Sequence, residues 1–349
     1  MTDLGSTIAD PGWLRSRWHQ RVPQVRRFIG PGISPGCNPG YSVFPRKVPG
    51  VCGDPTRVWR CLPRFAGIVP PKCPQLGDRG PIFAVMNVLF DIQGSGRAQG
   101  ALLLCEWGAG YCSVALLDGD SRLPHRIRFW SLTEPLPASE QEAVLETVRG
   151  LSTHAARVVF CSAFPEAVAV PARLPGDGLL AALHPAVATE HEDRVGEWQL
   201  HLRYTFPAAL DAELRRQFPG AEYYHVFSPA LRAPLGIDAG QVLQVHFAPG
   251  QFRVLARNNG RLQLLQQYRY EAPLDVVYYL LRIASESGLP GADTTLVLSG
   301  LIDEESALYR ELHQFFGRIH FAAPEGVTAE EGRPAHFFTS LYNLAQCVS

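Results

Sequence analysis

Two stretches of the sequence share one pattern: residues 101–118 read ALLLCEWGAGYCSVALLD, and residues 241–258 read QVLQVHFAPGQFRVLARN. Each contains an apolar run, a turn with glycine, a second apolar run and a final turn-forming residue, which is the pattern of a β-hairpin. Gly110 and Gly250 lie 140 residues apart, and so do the Asp and Asn that end the two stretches. The sequence therefore predicts two hairpins at equivalent places in a duplicated structure.

The segments that follow the two hairpins also repeat. In each copy the sequence predicts a third strand, a helix and a buried strand. The first helix is expected to begin at a capping box formed by Ser139 and Glu142, and the second at Pro273. The predicted bounds of these elements are 126–132, 139–149 and 158–162 in the first copy, and 262–270, 274–287 and 295–299 in the second.

Further elements are predicted between and after the copies. The expected strands are 198–206, 222–227 and 318–321, and the expected helices are 207–218, 303–316 and 334–347. Strands and helices that alternate at this spacing are typical of an α/β protein in which helices cover mixed sheets.

A β-β-β-α-β-α-β-α unit that occurs twice is the plan of the actin-like ATPases, whose lobes share the ribonuclease H-like fold. The segments that carry a closer resemblance are 268–281 (YRYEAPLDVVYYLL), 296–303 (LVLSGLID), Phe218-Pro219 and Tyr224-His225. They resemble a bacterial family, domain of unknown function 3822, which has an actin-like ATPase fold and no assigned activity. The resemblance extends over about residues 86–349. It implies a duplicated ribonuclease H-like fold with a first lobe at 86–235 and a second at 236–349.

The first 85 residues differ from the rest in composition. They hold 12 of the 32 basic residues and 4 of the 33 acidic ones, so their charge is +8 and residues 86–349 carry −9. They contain 13 of the 29 prolines and show no sustained helical or alternating period. Residues 1–85 are therefore predicted to be an extension without a fold of its own.

Three interpretations of this extension stay open. It is a basic arm that binds nucleic acid or an acidic membrane surface, a disordered tail without a binding role, or sequence that is not native protein. We favour the third, with translation starting at Met86, because an Arg-, Pro-, Gly- and Cys-rich segment without Glu is typical of GC-rich DNA read without coding selection. Intact-mass analysis of the protein from its native host would decide between them.

We predict that residues 86–349 belong to a cytoplasmic protein, from their charge, their lack of a membrane span and the place of their cysteines. Their acidic charge argues against nucleic acid as a partner. No apolar run reaches the roughly 18–20 residues that a membrane span needs. Their four cysteines lie in apolar elements, as expected of buried reduced thiols. We expect a protein partner or self-association.

The resemblance also implies where a nucleotide would bind. Active actin-like proteins carry Asp-x-Gly at the first hairpin of each lobe and Gly-Gly in the second lobe, so that glycines cradle phosphates and carboxylates hold Mg²⁺. The corresponding segments here read EWGAG (106–110), HFAPG (246–250) and LSGL (298–301). The second segment has no carboxylate, and Pro249 has no N–H to donate to a phosphate.

The nucleotide motifs are therefore degenerate. The residues left as candidates for the cleft are Glu106, Gly108, Gly110, Gly250, Ser299 and Gly300. Glu106 is interpreted as a strand-end residue that faces solvent, and its role as a metal-linked carboxylate is the weaker alternative. We expect no catalytic residue, no metal and no cofactor, with ATP and magnesium as the alternative.

Three hypotheses for function follow. We favour a pseudo-ATPase that acts through protein contacts as a scaffold or homodimer. The second is a divergent ATPase or small-molecule kinase that uses Glu106 and Asp118. The third is an actin-like adaptor of a membrane assembly, by analogy of fold alone. In addition, His184 and residues 190–193 (EHED) are interpreted as a solvated acidic loop rather than a metal site, and Tyr279 as an outward-facing residue that meets a partner.

Overall fold

The computed structural model describes residues 87–174, 176–185, 189–237, 240–289, 293–324 and 333–348. The interpretations of residues 1–85 lie outside these ranges. The strands are β1 (Asn87–Gln93), β2 (Ala101–Trp107), β3 (Tyr111–Leu117), β4 (Pro124–Ser131), β5 (Ala155–Ser162), β6 (Ala167–Pro171), β7 (His191–Val195), β8 (Leu200–Tyr204), β9 (Glu222–His225), β10 (Gln241–Ala248), β11 (Gln251–Asn258), β12 (Arg261–Arg269), β13 (Thr295–Gly300) and β14 (Arg318–Phe321). The helices are α1 (Ala138–Ser152), α2 (Leu179–Leu183), α3 (Ala208–Gln217), α4 (Phe227–Arg232), α5 (Pro273–Glu286), α6 (Ala307–His313) and α7 (Thr339–Cys347), with short 3₁₀ helices at Gly196–Trp198 and Ala335–Phe338.

Two large sheets have the same strand order. The first runs β1-β4-β3-β2-β5-β9 and the second β12-β11-β10-β13-β14. If β1 is set aside, β4-β3-β2-β5-β9 of the first sheet corresponds to β12-β11-β10-β13-β14 of the second. In both sheets the two hairpin strands and the strand after them are antiparallel, while β2 pairs in parallel with β5 and β10 pairs in parallel with β13. The predicted duplication is therefore confirmed at the level of topology.

The two hairpins also share one register. Trp107 pairs with Cys112 in the first hairpin, and Phe247 pairs with Phe252 in the second. These pairs correspond at the 140-residue spacing of the sequence repeat. The strands of the first hairpin form nearly continuous apolar runs because both of their faces are buried.

Strand β1 was not predicted. It pairs antiparallel with β4 at the edge of the first sheet. Within it only Phe90 and Ile92 are buried. A single alternating pair is a weak strand signal, and its partner strand lies more than thirty residues further along the chain.

Helix α1 begins earlier than its predicted capping box. Its N-cap is Pro137, and no side chain caps it. Ser139 is thus inside the helix, and the predicted box is wrong. Glu140 instead accepts hydrogen bonds from the backbone N–H and the hydroxyl of Thr133, at 2.9 and 2.7 Å. This contact ties the first turn of the helix to the end of β4.

Helix α5 begins at Pro273, as predicted. Its third residue, Asp275, accepts the N–H groups of Ala272 at 2.9 Å and Glu271 at 3.0 Å, which otherwise lack partners at a helix start. The apolar face of the helix buries Val276, Leu280 and neighbouring side chains against the outer face of the second sheet.

A small antiparallel sheet, β6-β8-β7, is inserted after β5. The predicted acidic loop lies here and is wrong, because residues 191–195 form strand β7. Asp193 is buried, while Glu190 and Glu192 pair with Arg203 of β8. Among the described residues, no group of three His, Cys, Asp or Glu side chains is placed to hold a metal ion.

Helix α7 lies on the inner face of the first sheet. Its Leu341, Leu344 and Ala345 pack with Leu104 of β2 and Val159 of β5 in one core cluster. The C-terminal residues of the predicted second lobe thus complete the core of the first. None of the described helices has the length and apolar character that a membrane crossing requires.

Candidate functional site

The two hairpin turns lie next to each other. A Cβ atom placed on Gly110 would be 3.9 Å from the carbonyl oxygen of Pro249, which is ordinary van der Waals contact. A Cβ on Gly108 would lie 3.0 Å from the amide nitrogen of the Gln251 side chain. The turns that the resemblance places around phosphates therefore contact one another. Gly250 has a φ of +65°, a left-handed backbone conformation that glycine adopts without strain. Glycine at this position is therefore explained by the geometry of the turn.

Glu106 lies at the end of β2, beside these turns, and is buried with only 1% of its surface exposed. The expectation that it faces solvent is wrong. Its Oε1 accepts hydrogen bonds from the Tyr111 hydroxyl at 2.5 Å and from Nη1 of Arg253 at 3.0 Å. Its Oε2 accepts one from the Ser340 hydroxyl. Strands of both lobes and helix α7 thus meet at one carboxylate.

Arg253, in the middle of β11, completes this cluster. It is buried, and its Nη2 donates to Oγ of Ser340 at 2.5 Å. Burial alone would lower the pKa of Arg253, but the negative charge of Glu106 outweighs burial and raises it. The same pairing, helped by Ser340 and Tyr111, overcomes the effect of burial on Glu106 and lowers its pKa to about 2. The pair is therefore ionised at neutral pH.

Ser299 and Gly300, at the end of β13, are both engaged within the second sheet. The Ser299 hydroxyl lies 2.9 Å from Nδ1 of His246 on β10. Burial lowers the pKa of His246 to about 3, so the ring is neutral at pH 7. A Cβ on Gly300 would lie 2.1 Å from the carbonyl oxygen of Phe247, and its φ is +77°. Gly300 is thus required where two strands of one sheet come close together.

The space between these residues is small. A cavity of about 10 Å³ is lined by His246, Arg253, Ser299 and Ser340, among others. This volume is at the limit of what a single water molecule needs. The residues present therefore do not fit magnesium with ATP, because the Glu106 carboxylate is already paired with Arg253 and the two hairpin turns lie side by side.

Asp118 lies at the far end of β3 from the hairpin turn. Its carboxylate accepts the backbone N–H groups of Asp120, Ser121 and Arg97 at 3.0, 2.9 and 3.1 Å. These hydrogen bonds lower its pKa to about 2. Asp118 shapes the β3–β4 turn and does not join Glu106.

Sequence reasoning missed Arg253, Tyr111 and Ser340. Arg253 carried a usable signal, since it is a charged residue in an apolar strand whose neighbours Phe252 and Val254 point into the opposite core. Tyr111 and Ser340 carried none, because a hydroxyl at the edge of an apolar run has many roles. The prediction for Tyr279 was also wrong: its ring stacks on Tyr268 at 4.4 Å between centroids, and the exposed residue is Tyr278.

Comparisons with known proteins agree with this structure. The family model described as "Protein of unknown function (DUF3822)" matches residues 180–319, which confirms the predicted resemblance over that range. A comparison with curated proteins gives no significant match.

A solved bacterial structure shows the same fold, and two others align with lower scores. A Bacteroides thetaiotaomicron protein with actin-like ATPase fold and unknown function aligns at a TM-score of 0.59 and 14% identity, over 72% of this chain and 97% of that one. The PilM-PilN type IV pilus biogenesis complex aligns at 0.47 and 12%, over 70% and 98%. The ethanolamine utilization protein EutJ from Carboxydothermus hydrogenoformans aligns at 0.39 and 11%, over 72% and 92%. The first likeness establishes the actin-like fold, and the other two scores are too low to support an argument.

Proposed function

We propose that this chain is an actin-like protein without nucleotide chemistry that acts through contacts with other proteins. The observation that carries the proposal is the full engagement of the Glu106 carboxylate by Arg253, Tyr111 and Ser340. Protein-bound Mg²⁺ keeps several of its water molecules and needs a carboxylate that faces open space. Glu106 offers neither a free oxygen nor such a space.

Arg253 supplies the positive charge that a metal ion would otherwise supply next to this carboxylate. Because both side chains are buried, removal of either charge leaves the other unpaired, at a cost of about 3–5 kcal/mol. A nucleotide with its metal would have to break this pair and also part the two hairpin turns. The site is therefore better suited to holding the lobes together than to opening for a ligand.

The phosphate-binding elements are also missing from the second hairpin. Its turn contains Ala248 and Pro249, and proline has no N–H to donate. Leu301 takes the place of a second glycine after Gly300, and its N–H donates to the Phe247 carbonyl at 2.9 Å. Of the backbone donors at these two positions, one is absent and the other is used within the sheet.

Isothermal titration of the full chain with Mg·ATP tests the catalytic half of the proposal. We expect no saturable heat, and no phosphate release in a parallel assay. Saturable binding in the micromolar range, with phosphate release that the Glu106→Gln variant abolishes, would overturn the proposal in favour of a divergent ATPase.

The second half, contact with other proteins, is supported by apolar side chains on the surface. Leu274 and Tyr278, one turn apart on α5, are 62% and 42% exposed. Leu179 and Leu183, one turn apart on α2, are 38% and 58% exposed. Sedimentation velocity over a range of concentrations distinguishes a homodimer from a monomeric scaffold, and a Leu274→Glu variant shows whether α5 takes part in self-association.

A further inference from the structure

An open groove of about 790 Å³ lies mainly on the first lobe, and Gly108 and Ala109 of the first hairpin turn form part of its lining. Its walls are the β4–α1 connection at residues 134–136, the segment after β5 at 164–166, the end of α2 at 183–185 and the start of α3 at 205–210. Arg269, at the end of β12, closes one side. Ligand sites in proteins commonly have volumes of roughly 300–1,000 Å³, so the groove is large enough to be one.

Most of the groove surface is apolar. The buried side chains of Phe164, Phe206 and Leu210 lie beneath it, and the accessible apolar surface comes from four exposed prolines at positions 135, 165, 185 and 207. Leu183 stands at its rim, and Leu179 continues the apolar surface one helical turn away. Apolar surface that extends past a groove is found at sites of contact with other proteins.

The charged residues of the groove favour a basic occupant. Arg269 binds both oxygens of Glu134, one of them at 2.6 Å, so these two charges compensate each other. Glu166 adds a second carboxylate, and the three side chains together carry one net negative charge. The rest of the lobe-forming chain is also acidic, with 20 basic and 29 acidic residues in 86–349.

We infer that this groove binds an extended segment of a partner protein in which a Lys or Arg is flanked by apolar residues. The basic side chain pairs with Glu166, and the apolar ones pack on the exposed Leu183, Pro165 and Pro207. Because of its prolines, the groove offers few backbone N–H groups to a bound segment, but this costs little affinity. Affinity comes from buried apolar surface, and specificity comes from the single charge pair. The inference rests on the proposed role in protein contacts.

A random 12-residue peptide library displayed on phage, selected on the immobilised full chain, provides the probe. We expect enriched sequences in which Lys or Arg lies between apolar residues. A fluorescein-labelled synthetic peptide with the enriched sequence is then titrated by fluorescence anisotropy against the wild type and three variants. Glu166→Lys reverses the groove charge, Ala208→Trp fills the groove from an exposed position, and Glu305→Lys makes the same charge change on the other lobe.

The two groove variants should each weaken binding by about tenfold or more, while Glu305→Lys leaves it unchanged. Failure to enrich any sequence, enrichment of acidic sequences, or binding that neither groove variant weakens would overturn the inference. The two proposals can fail separately. If the peptide experiment fails but the Mg·ATP titration shows no binding heat, the groove inference is overturned while the proposed absence of nucleotide chemistry is still supported.

Discussion

Nη1 of Arg253, on the second hairpin, lies 3.0 Å from Oε1 of Glu106, on the first, and both side chains are buried. The two residues are 147 positions apart in the chain. In an actin-like fold this carboxylate occupies the place where nucleotide chemistry is expected, and here it serves as one half of an ion pair between the lobes. The pair thus joins the two hairpins in the folded structure.

Removal of the Arg253 charge should destabilise the protein strongly. In an Arg253→Met variant, Glu106 stays buried without its counter-charge, and we expect a loss of about 3–5 kcal/mol in the free energy of unfolding. In the double variant Glu106→Gln/Arg253→Met, both charges are gone and much of this loss should be recovered. Urea unfolding of the wild type, both single variants and the double variant measures the coupling. A cost below about 1 kcal/mol for Arg253→Met would show that the pair does not join the lobes.

The two candidate glycines with positive φ should differ in their sensitivity to alanine. Gly250→Ala meets no atom within 4 Å, so it should cost only the strain of a left-handed backbone, about 1–2 kcal/mol. Gly300→Ala adds a collision with the Phe247 carbonyl oxygen at 2.1 Å and should cost clearly more. Thermal unfolding of the two variants tests the difference. Equal costs would mean that β10 and β13 separate easily at this point.

The hairpins and the order of elements along the chain could be predicted from the sequence because their signals are local. Apolar runs, glycine turns and Pro273 each act within a few residues of the structure they specify. The state of Glu106 could not be predicted, since its partners Arg253 and Ser340 are 147 and 234 positions away. Strand β8 of the inserted sheet was predicted, but β7 was missed for a similar reason: the partners of Asp193, namely Tyr204, His225 and Ser228, are 11 to 35 positions away.

Two histidines whose pKa values are lowered in the folded protein should make it sensitive to mild acid. Burial lowers the pKa of His225 to about 4 and that of His246 to about 3. Below pH 6.5 the unfolded chain binds protons that the folded chain does not, so the free energy of unfolding should fall as pH drops from 6.5 towards 4. Each histidine contributes a slope of at most about 1.4 kcal/mol per pH unit.

A His225→Asn variant isolates one of these contributions. Urea unfolding between pH 7 and 4.5 should show a shallower pH dependence for this variant than for the wild type, whatever its stability at pH 7. His125→Asn serves as a control, because that ring is half-buried near the surface and bonds the Gly96 carbonyl. A slope that His225→Asn leaves unchanged would show that His225 titrates normally in the folded protein.

Asp193 should be essential for the attachment of the inserted sheet. Its Oδ1 accepts the Tyr204 hydroxyl at 3.0 Å, and its Oδ2 accepts the His225 N–H at 2.8 Å and the Ser228 hydroxyl. Asp193→Ala leaves these buried donors without their acceptor, and we expect a loss of about 3 kcal/mol or more at pH 7.

The pH dependence of Asp193 has the opposite sign to that of the histidines. Burial raises its pKa to about 6, so between pH 4 and 6 the folded chain holds a proton that the unfolded chain has lost, and this residue's contribution to stability decreases as pH rises. The cost of Asp193→Ala should therefore be larger at pH 4.5 than at pH 7, when each is measured by urea unfolding against the wild type at the same pH. A cost that is independent of pH would show that the carboxylate stays ionised among its three donors.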